Sequence, residues 1–177
     1  MLIMGAGPID IMHLLLSRLS GASTVIVSEM IEERRLQALE FGDDLSVDPG
    51  KQDLLAAVWE ASYGRGADVI LVAAPAPSAQ EQSLDLAATS GRINFFGGLP
   101  QESEFISFNS NRVHYRENMV TGTTGSSNYE FHRNMEIIGS GRVALSRLIS
   151  ARFPLSEAKE AFAVAASKKA LKVIINP

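Results

Sequence analysis

Short apolar runs alternate along this chain with longer stretches of helical periodicity. Leu2–Met4, Thr24–Ser28, Leu45–Val47, Ala67–Ala73, Arg92–Phe96, Met119–Gly122 and Lys172–Ile175 read as strands. Thr24–Ser28 and Ala67–Ala73 are apolar at nearly every position, the mark of strands buried on both faces. Ile9–Leu19, Ile31–Phe41, Leu54–Ala61, Ser78–Thr89, Tyr129–Ser140 and Ser156–Ala166 read as helices. Pro8 suits a first helical turn, and Gly42 a helix stop. Ser78 and Ser156 are candidate N-caps. Gly139-Ser140-Gly141 reads as a helix terminator rather than a phosphate cradle. A polar, Asn/Ser-rich stretch separates Phe96 from Met119.

Strands alternating with helices of this length imply βαβ units, hence an α/β fold with a parallel sheet and helices on both faces. Six strands through Gly122 fit the doubly wound Rossmann arrangement, followed by a C-terminal helix–strand tail. The composition changes after about Ser140, which predicts a dinucleotide-type domain over 1–140 and an appended segment over 141–177.

Composition narrows the chemistry. The chain has 177 residues, 46% apolar and 20% charged, with a net charge of −4. A weakly acidic chain with no basic stripe argues against nucleic acid as a partner. With no cysteine there is no disulfide, thiol nucleophile or thiolate metal site. No apolar run reaches the ~20 residues that span a bilayer, and Asp10 and His13 interrupt the first apolar stretch, so a cytoplasmic location is expected. His13, His114 and His132 form no metal spacing and read as structural, with His13 packed and His132 exposed. No G-x-S-x-G elbow is present. Trp59 reads as semi-buried packing, and Glu32-Glu33-Arg34-Arg35 as a solvated helix face.

The most specific signal is Gly5-Ala6-Gly7-Pro8-Ile9-Asp10, set between a strand and a helix. That is the context of the G-x-G-x-x-G dinucleotide turn, with Asp10 in place of the third glycine. Gly5 permits a tight turn, Gly7 lets a pyrophosphate approach the backbone, and the helix N-terminus faces the anion. Asp10 suits the first turn of a free helix but would repel bound phosphate. Glu29 follows Gly7 by 22 positions, at the end of the second strand, where a carboxylate binds the adenosine ribose and disfavours a 2′-phosphate. NAD is therefore favoured over NADP, qualified by Arg34 and Arg35, since a nearby arginine can accommodate that phosphate. Two plainer readings stand beside this one: glycine turns occur in other α/β folds, and Glu29 could be a solvated loop residue.

Further motifs share the order and spacing of a known family. Gly5-Ala6-Gly7-Pro8-Ile9, Val25-Ile26-Val27-Ser28-Glu29, Gly64-Arg65-Gly66-Ala67-Asp68 and Phe96-Gly97-Gly98 resemble the cofactor domain of medium-chain, zinc-dependent alcohol dehydrogenases. Asn111, His114-Tyr115-Arg116-Glu117, Val120-Thr121-Gly122, Arg152-Phe153-Pro154-Leu155 and Lys169 to Ile175 look most like the sorbitol (L-iditol) dehydrogenase group. The resemblance covers essentially the whole chain. It implies that Gly5, Gly7, Pro8 and Ile9 hold the pyrophosphate, Glu29 the ribose and Arg34 the adenosine side. Ala73 and Ala74 would edge the middle of the cofactor, Phe96, Gly97 and Gly98 the nicotinamide, and Thr123 and Gly125 its carboxamide.

In that family zinc and its ligands, a cysteine among them, belong to a separate catalytic domain preceding this one. The resemblance therefore implies the NAD(H)-binding portion of an alcohol or polyol dehydrogenase, inactive by itself, with no catalytic or metal-binding residue of its own. It also implies a tail that packs back on the catalytic domain, and a homodimer formed through an edge strand near Phe105–Phe108. The alternative is a dimerisation scaffold of the same fold in which Asp10 has ended cofactor binding.

Overall fold

A computed structural model describes residues 1–167 and 169–177. They divide into two compact units, Met1–Gly125 and Ser126–Pro177.

The first unit is a six-stranded sheet. Its strands are β1 (Leu2–Met4), β2 (Ile26–Ser28), β3 (Leu45–Val47), β4 (Ala67–Val72), β5 (Ala87–Phe95) and β6 (Met119–Gly122). They lie in the order β3-β2-β1-β4-β5-β6, and every pair is parallel. This is the expected doubly wound order, in which the winding reverses between β1 and β4. The connecting helices are α1 (Pro8–Leu19), α2 (Glu32–Phe41), α3 (Leu54–Ala61), α4 (Pro77–Leu86) and the short α5 (Ser110–Arg116).

Alternation along the strands sends side chains to two layers. Leu2, Met4, Ile26, Val47, Ile70, Val72 and Ile93 pack with Leu54 and Val58 of α3 and Leu84 and Leu86 of α4. Ile3 and Val27 point the other way and are fully buried, as are Ile11 and Leu14 of α1 and Ala38 of α2. The helix ends follow local chemistry. Asp53 caps α3 by accepting from the Ala56 N–H at 3.1 Å. Gly42 closes α2 in the left-handed region at φ +98°. At the amino-terminal pole of the sheet, the Arg18 guanidinium donates twice to Gly42 O (2.9 and 2.7 Å), to Ala22 O (3.1 Å) and to Ser23 O (3.2 Å), and it ion-pairs with Asp44.

Several elements differ from the sequence expectation. α4 ends at Leu86, not Thr89, because Ala87 turns extended and pairs with Ala67. The register then jumps to Val69 opposite Arg92, so residues 88–91 form a bulge with Ser90 at φ +57°. α4 starts at Pro77 with Ala76 before it, so Ser78 is not its cap. α5 was unpredicted: in SNRVHYR only Val113 packs on the core, too little for an apolar period. Phe105–Phe108 is not a strand. It belongs to the irregular connection before α5, with Phe105 86% exposed, and the place beside β5 is filled by β6.

The second unit contains α6 (Asn128–Gly139), β7 (Ile149–Pro154), α7 (Ala158–Ala166) and β8 (Lys172–Asn176). Ser127 caps α6 by accepting from the Glu130 N–H, and Glu130 returns the bond to the Ser127 N–H, a capping box. Gly141, at φ +71°, follows the end of that helix, as expected. β7 and β8 form a parallel pair with α7 between them in the chain. β7 went unread although ISARFP alternates strictly, with Ile149, Ala151 and Phe153 half-buried and their neighbours exposed. A turn of 3₁₀ helix over Leu155–Glu157 precedes α7, so Ser156 is not its N-cap.

Candidate functional site

The chain leaves β1 through a left-handed glycine. Gly5 sits at φ +130°, and its N–H donates to Ser28 O at 2.8 Å, which pins the turn to the end of β2. The next two N–H groups then point at carboxylates. Ala6 donates to Glu29 Oε2 at 3.0 Å, and Gly7 donates to Asp10 Oδ2 at 2.8 Å. Gly7 is the N-cap of α1, Pro8 its first residue and Asp10 its third. An acidic residue at that third position reaches back to the N-cap N–H, the half of a capping box that a glycine cap allows.

The Asp10 carboxyl group therefore lies in the concavity of the turn. A Cβ placed on Gly5 would meet Asp10 Oδ2 at 2.7 Å and Oδ1 at 2.8 Å, and one on Gly7 would meet Oδ2 at 3.3 Å. Asp10 is 8% exposed, and its Oδ1 has no hydrogen-bond partner. Burial raises its pKa from 3.8 to about 6. The Gly7 hydrogen bond opposes this, Glu29 adds to it, and Arg34 pulls the other way.

Glu29 is oriented inward by the turn. Its Oε1 accepts from the Ile31 N–H at 2.9 Å, and Arg34 Nη1 stands 3.9 Å from its Oε2. The two arginines that could receive a 2′-phosphate differ in their commitments. The Arg35 guanidinium donates to Glu29 O (2.7 Å) and Met30 O (2.8 Å) and pairs with the buried Asp48 at 3.2 Å. Arg34 pairs with the Glu29 carboxylate itself.

The remaining candidates cluster at the same carboxyl edge of the sheet. The Ala74 N–H donates to Met4 O at 3.0 Å, which ties the end of β4 to β1. Phe96 and Gly97 both donate to Val72 O, at 2.9 and 3.0 Å. Gly97 is there because nothing larger fits: an added Cβ would lie 2.3 Å from Ala73 O, whereas at Gly98 it would meet nothing within 4 Å. The Thr123 N–H donates to Phe95 O at 3.3 Å, and its hydroxyl donates to Asn94 Oδ1 at 3.1 Å. Gly125, at φ +67°, ends the first unit. Phe96, Gly97, Gly98, Thr123 and Gln80 line an open cavity of about 450 Å³ beyond β5 and β6.

One contributor was missed at the sequence level, and another, His13, packs as expected. Gln80 of α4 is buried and donates from Nε2 to Gly97 O at 3.2 Å, holding the glycine pair in place. The His13 ring packs edge-on against Phe96, with centroids 4.6 Å apart. Burial lowers its pKa, and its Nε2 is buried without a partner. His114 and His132 are exposed. No group of three His, Cys, Asp or Glu side chains among the described residues could hold a metal, and no helix is long and apolar enough to cross a membrane.

A doubly wound sheet with a glycine turn after β1, an acidic residue after β2 and a cavity at the carboxyl ends of β5 and β6 defines a domain of the dinucleotide-binding class. The sequence profile of the zinc-binding dehydrogenases matches residues 8–140, and the chain belongs to that family. It is 34% identical over 178 residues to an L-threonine 3-dehydrogenase of Thermococcus kodakarensis, covering 99% of this chain and 50% of that protein. The L-threonine 3-dehydrogenase of Bacillus subtilis is 31% identical over 176 residues, with the same coverage. A zinc-binding dehydrogenase from Sinorhizobium meliloti, solved bound to NADP, superposes with a TM-score of 0.89 at 30% identity, over 99% of this chain and 52% of that one. One from Clostridium scindens gives a TM-score of 0.92 at 27% identity, over 99% and 49%. The chain thus spans about half the length of the curated relatives it matches.

Proposed function

We propose that this chain is the NAD(H)-binding portion of a zinc-dependent dehydrogenase acting on a secondary alcohol. One observation carries the reading. Three cofactor-sized features lie along one edge of a single sheet: the Gly5–Gly7 turn, the Glu29 carboxylate beside it, and the cavity at Phe96, Gly97, Gly98 and Thr123. A bound nicotinamide dinucleotide would supply the hydride acceptor. The chain's own residues would orient it: Glu29 with Arg34 at the adenosine ribose, Gly5, Gly7, Pro8 and Ile9 at the pyrophosphate, Ala73 and Ala74 along the middle. Phe96, Gly97, Gly98, Thr123 and Gly125 would take the nicotinamide end. Gly97 lacks a Cβ because one would lie 2.3 Å from Ala73 O, so the end of β5 stays close to the end of β4 at this edge.

The Glu29 carboxylate favours unphosphorylated ribose, and Arg35 is already engaged by Asp48, so NAD is the proposed cofactor. The NADP bound to the Sinorhizobium protein belongs to that relative. Polyols and the 3-hydroxyl of L-threonine are both secondary alcohols, so the sorbitol-type resemblance and the threonine dehydrogenase relatives agree on substrate class. No catalytic or zinc-ligating role is assigned to a residue of this chain. A homodimer and a cytoplasmic location remain part of the proposal.

Isothermal titration of the chain with NAD⁺ and NADP⁺ tests it. Micromolar binding, tighter for NAD⁺ by about tenfold, supports the reading, on the order of 1.4 kcal/mol of discrimination. Equal or tighter binding of NADP⁺ would remove the NAD preference. A second reading, a scaffold that no longer takes a cofactor, is favoured by the Asp10 carboxyl group in the turn. It predicts no binding by the parent chain and recovery in Asp10→Gly.

A further inference from the structure

We propose that Asp10 is a built-in competitor for the pyrophosphate seat, so that a dinucleotide enters the Gly5–Gly7 turn only as this carboxylate is neutralised or swung out. The inference rests on the dinucleotide reading above and adds to it a control on occupancy.

Three observations combine. The carboxyl group accepts from the N–H of Gly7, at the start of α1, where a phosphate would be drawn by the helix terminus. It fills the hollow of the turn, within 3 Å of where a Gly5 Cβ would stand. Its second oxygen is buried and has no partner, an unusual state for a carboxylate and one that costs more when the group is ionised than when it is protonated. The side chain thus copies the charge and the contact of a phosphate oxygen while being tethered three residues from the cap.

The charged surroundings set the direction of the control. From the β2 end Glu29 faces the group and disfavours its ionised form. From α2, Arg34 favours it, and Gly7 on α1 stabilises it by hydrogen bonding. Burial lowers the pKa of His13, one turn further along α1, and so disfavours a positive charge there. Burial outweighs the rest, and the carboxyl group titrates near pH 6. A neutral carboxylic acid at this position neither repels a pyrophosphate nor holds its seat by charge. Dinucleotide binding is therefore expected to strengthen as the pH falls, with uptake of nearly one proton per site at pH 7.5 and only about a quarter of one at pH 5.5.

The test uses the full chain, NAD⁺ and calorimetry at pH 5.5 and 7.5 in two buffers of different ionisation enthalpy. If only the neutral form is competent, the apparent Kd scales inversely with its fraction, and affinity should rise about 10- to 30-fold from pH 7.5 to 5.5. The binding heat of the parent should vary with the buffer, reporting the proton. Asp10→Asn keeps an acceptor for Gly7 and should bind at both pH values with the affinity the parent reaches in acid, with no buffer dependence. Asp10→Gly serves as a second variant should asparagine perturb the turn, and thermal melting confirms that each is folded. Adenosine, which has no phosphate, should bind parent and variants alike. Equal NAD⁺ affinity and equal pH dependence in parent and variants would overturn the role of Asp10 while leaving the dinucleotide reading intact. Failure of all three proteins to bind NAD⁺ at either pH would overturn the dinucleotide reading, and the control with it.

Discussion

Replacing Asp10 by asparagine should stabilise the fold at neutral pH and do little in acid. The group titrates near 6 in the folded chain against 3.8 for an unperturbed carboxyl. Between those values the folded chain keeps a proton that the unfolded chain has released. Stability contributed at this site is therefore present below about pH 4 and lost as the pH rises towards 6. At ~1.4 kcal/mol per pH unit, the full loss is about 3 kcal/mol. Asparagine preserves the size and the acceptor to Gly7 but carries no charge, so it should escape that loss. The assay is urea unfolding followed by circular dichroism, for parent and variant at pH 4, 5, 6 and 7.5. The difference between the two proteins is the useful quantity, because contributions common to both, such as those of Asp43 and His13, cancel. It should be below about 1 kcal/mol at pH 4 and climb to about 3 kcal/mol by pH 7.5. A difference that stays flat with pH, or that shrinks as the pH rises, would refute the argument, since either means that the carboxylate is comfortably ionised in the fold.

Neighbouring glycines supply a paired experiment. A Cβ on Gly97 would have to move Ala73 O by about 0.7 Å to reach even the closest tolerated contact, so Gly97→Ala should cost about 1–3 kcal/mol in chemical denaturation, while Gly98→Ala should be nearly silent. Equal effects at the two positions would count against the close approach of β4 and β5. His13, whose pKa is lowered by burial, takes up its proton at lower pH in the fold than in the unfolded chain, so stability falls as the pH drops below 6.5; His13→Leu should flatten that loss, measured by melting temperature across pH 5 to 7. Removing the N-cap of α3 with Asp53→Ala should cost about 1 kcal/mol in urea unfolding, and Asp53→Asn much less.

The central strands β1 and β2 were legible because they are buried along their whole length and lie in nearly continuous apolar runs. Val25, Ile26 and Val27 announce β2 without help from their neighbours. α5 and β7 were not legible by the same reasoning. α5 keeps a single apolar residue on the core and so carries no period, whereas β7 does alternate but over only six residues whose inward side chains are half-buried. At the site, Gly5, Gly7 and Glu29 could be picked out by spacing, and the structure brings them within hydrogen-bond reach of one turn. Asp10 was visible as a departure from the glycine pattern, but its direction was not. A residue at the third position of a helix can face solvent or fold back on the cap, and only the three-dimensional turn shows that this one folds back. Gln80 had no positional signature, since its partner is a backbone carbonyl 17 residues away.

Arg18 has a mechanical consequence. One guanidinium clamps the end of α2, the loop after α1 and the entry to β3. Lysine could not replace it, because a single ammonium cannot span carbonyls set around a planar fork. The amino-terminal pole of the sheet is thereby bolted to one side chain. Local opening of α1 must release those segments together, so their amides should exchange with solvent as a single cooperative group rather than loop by loop.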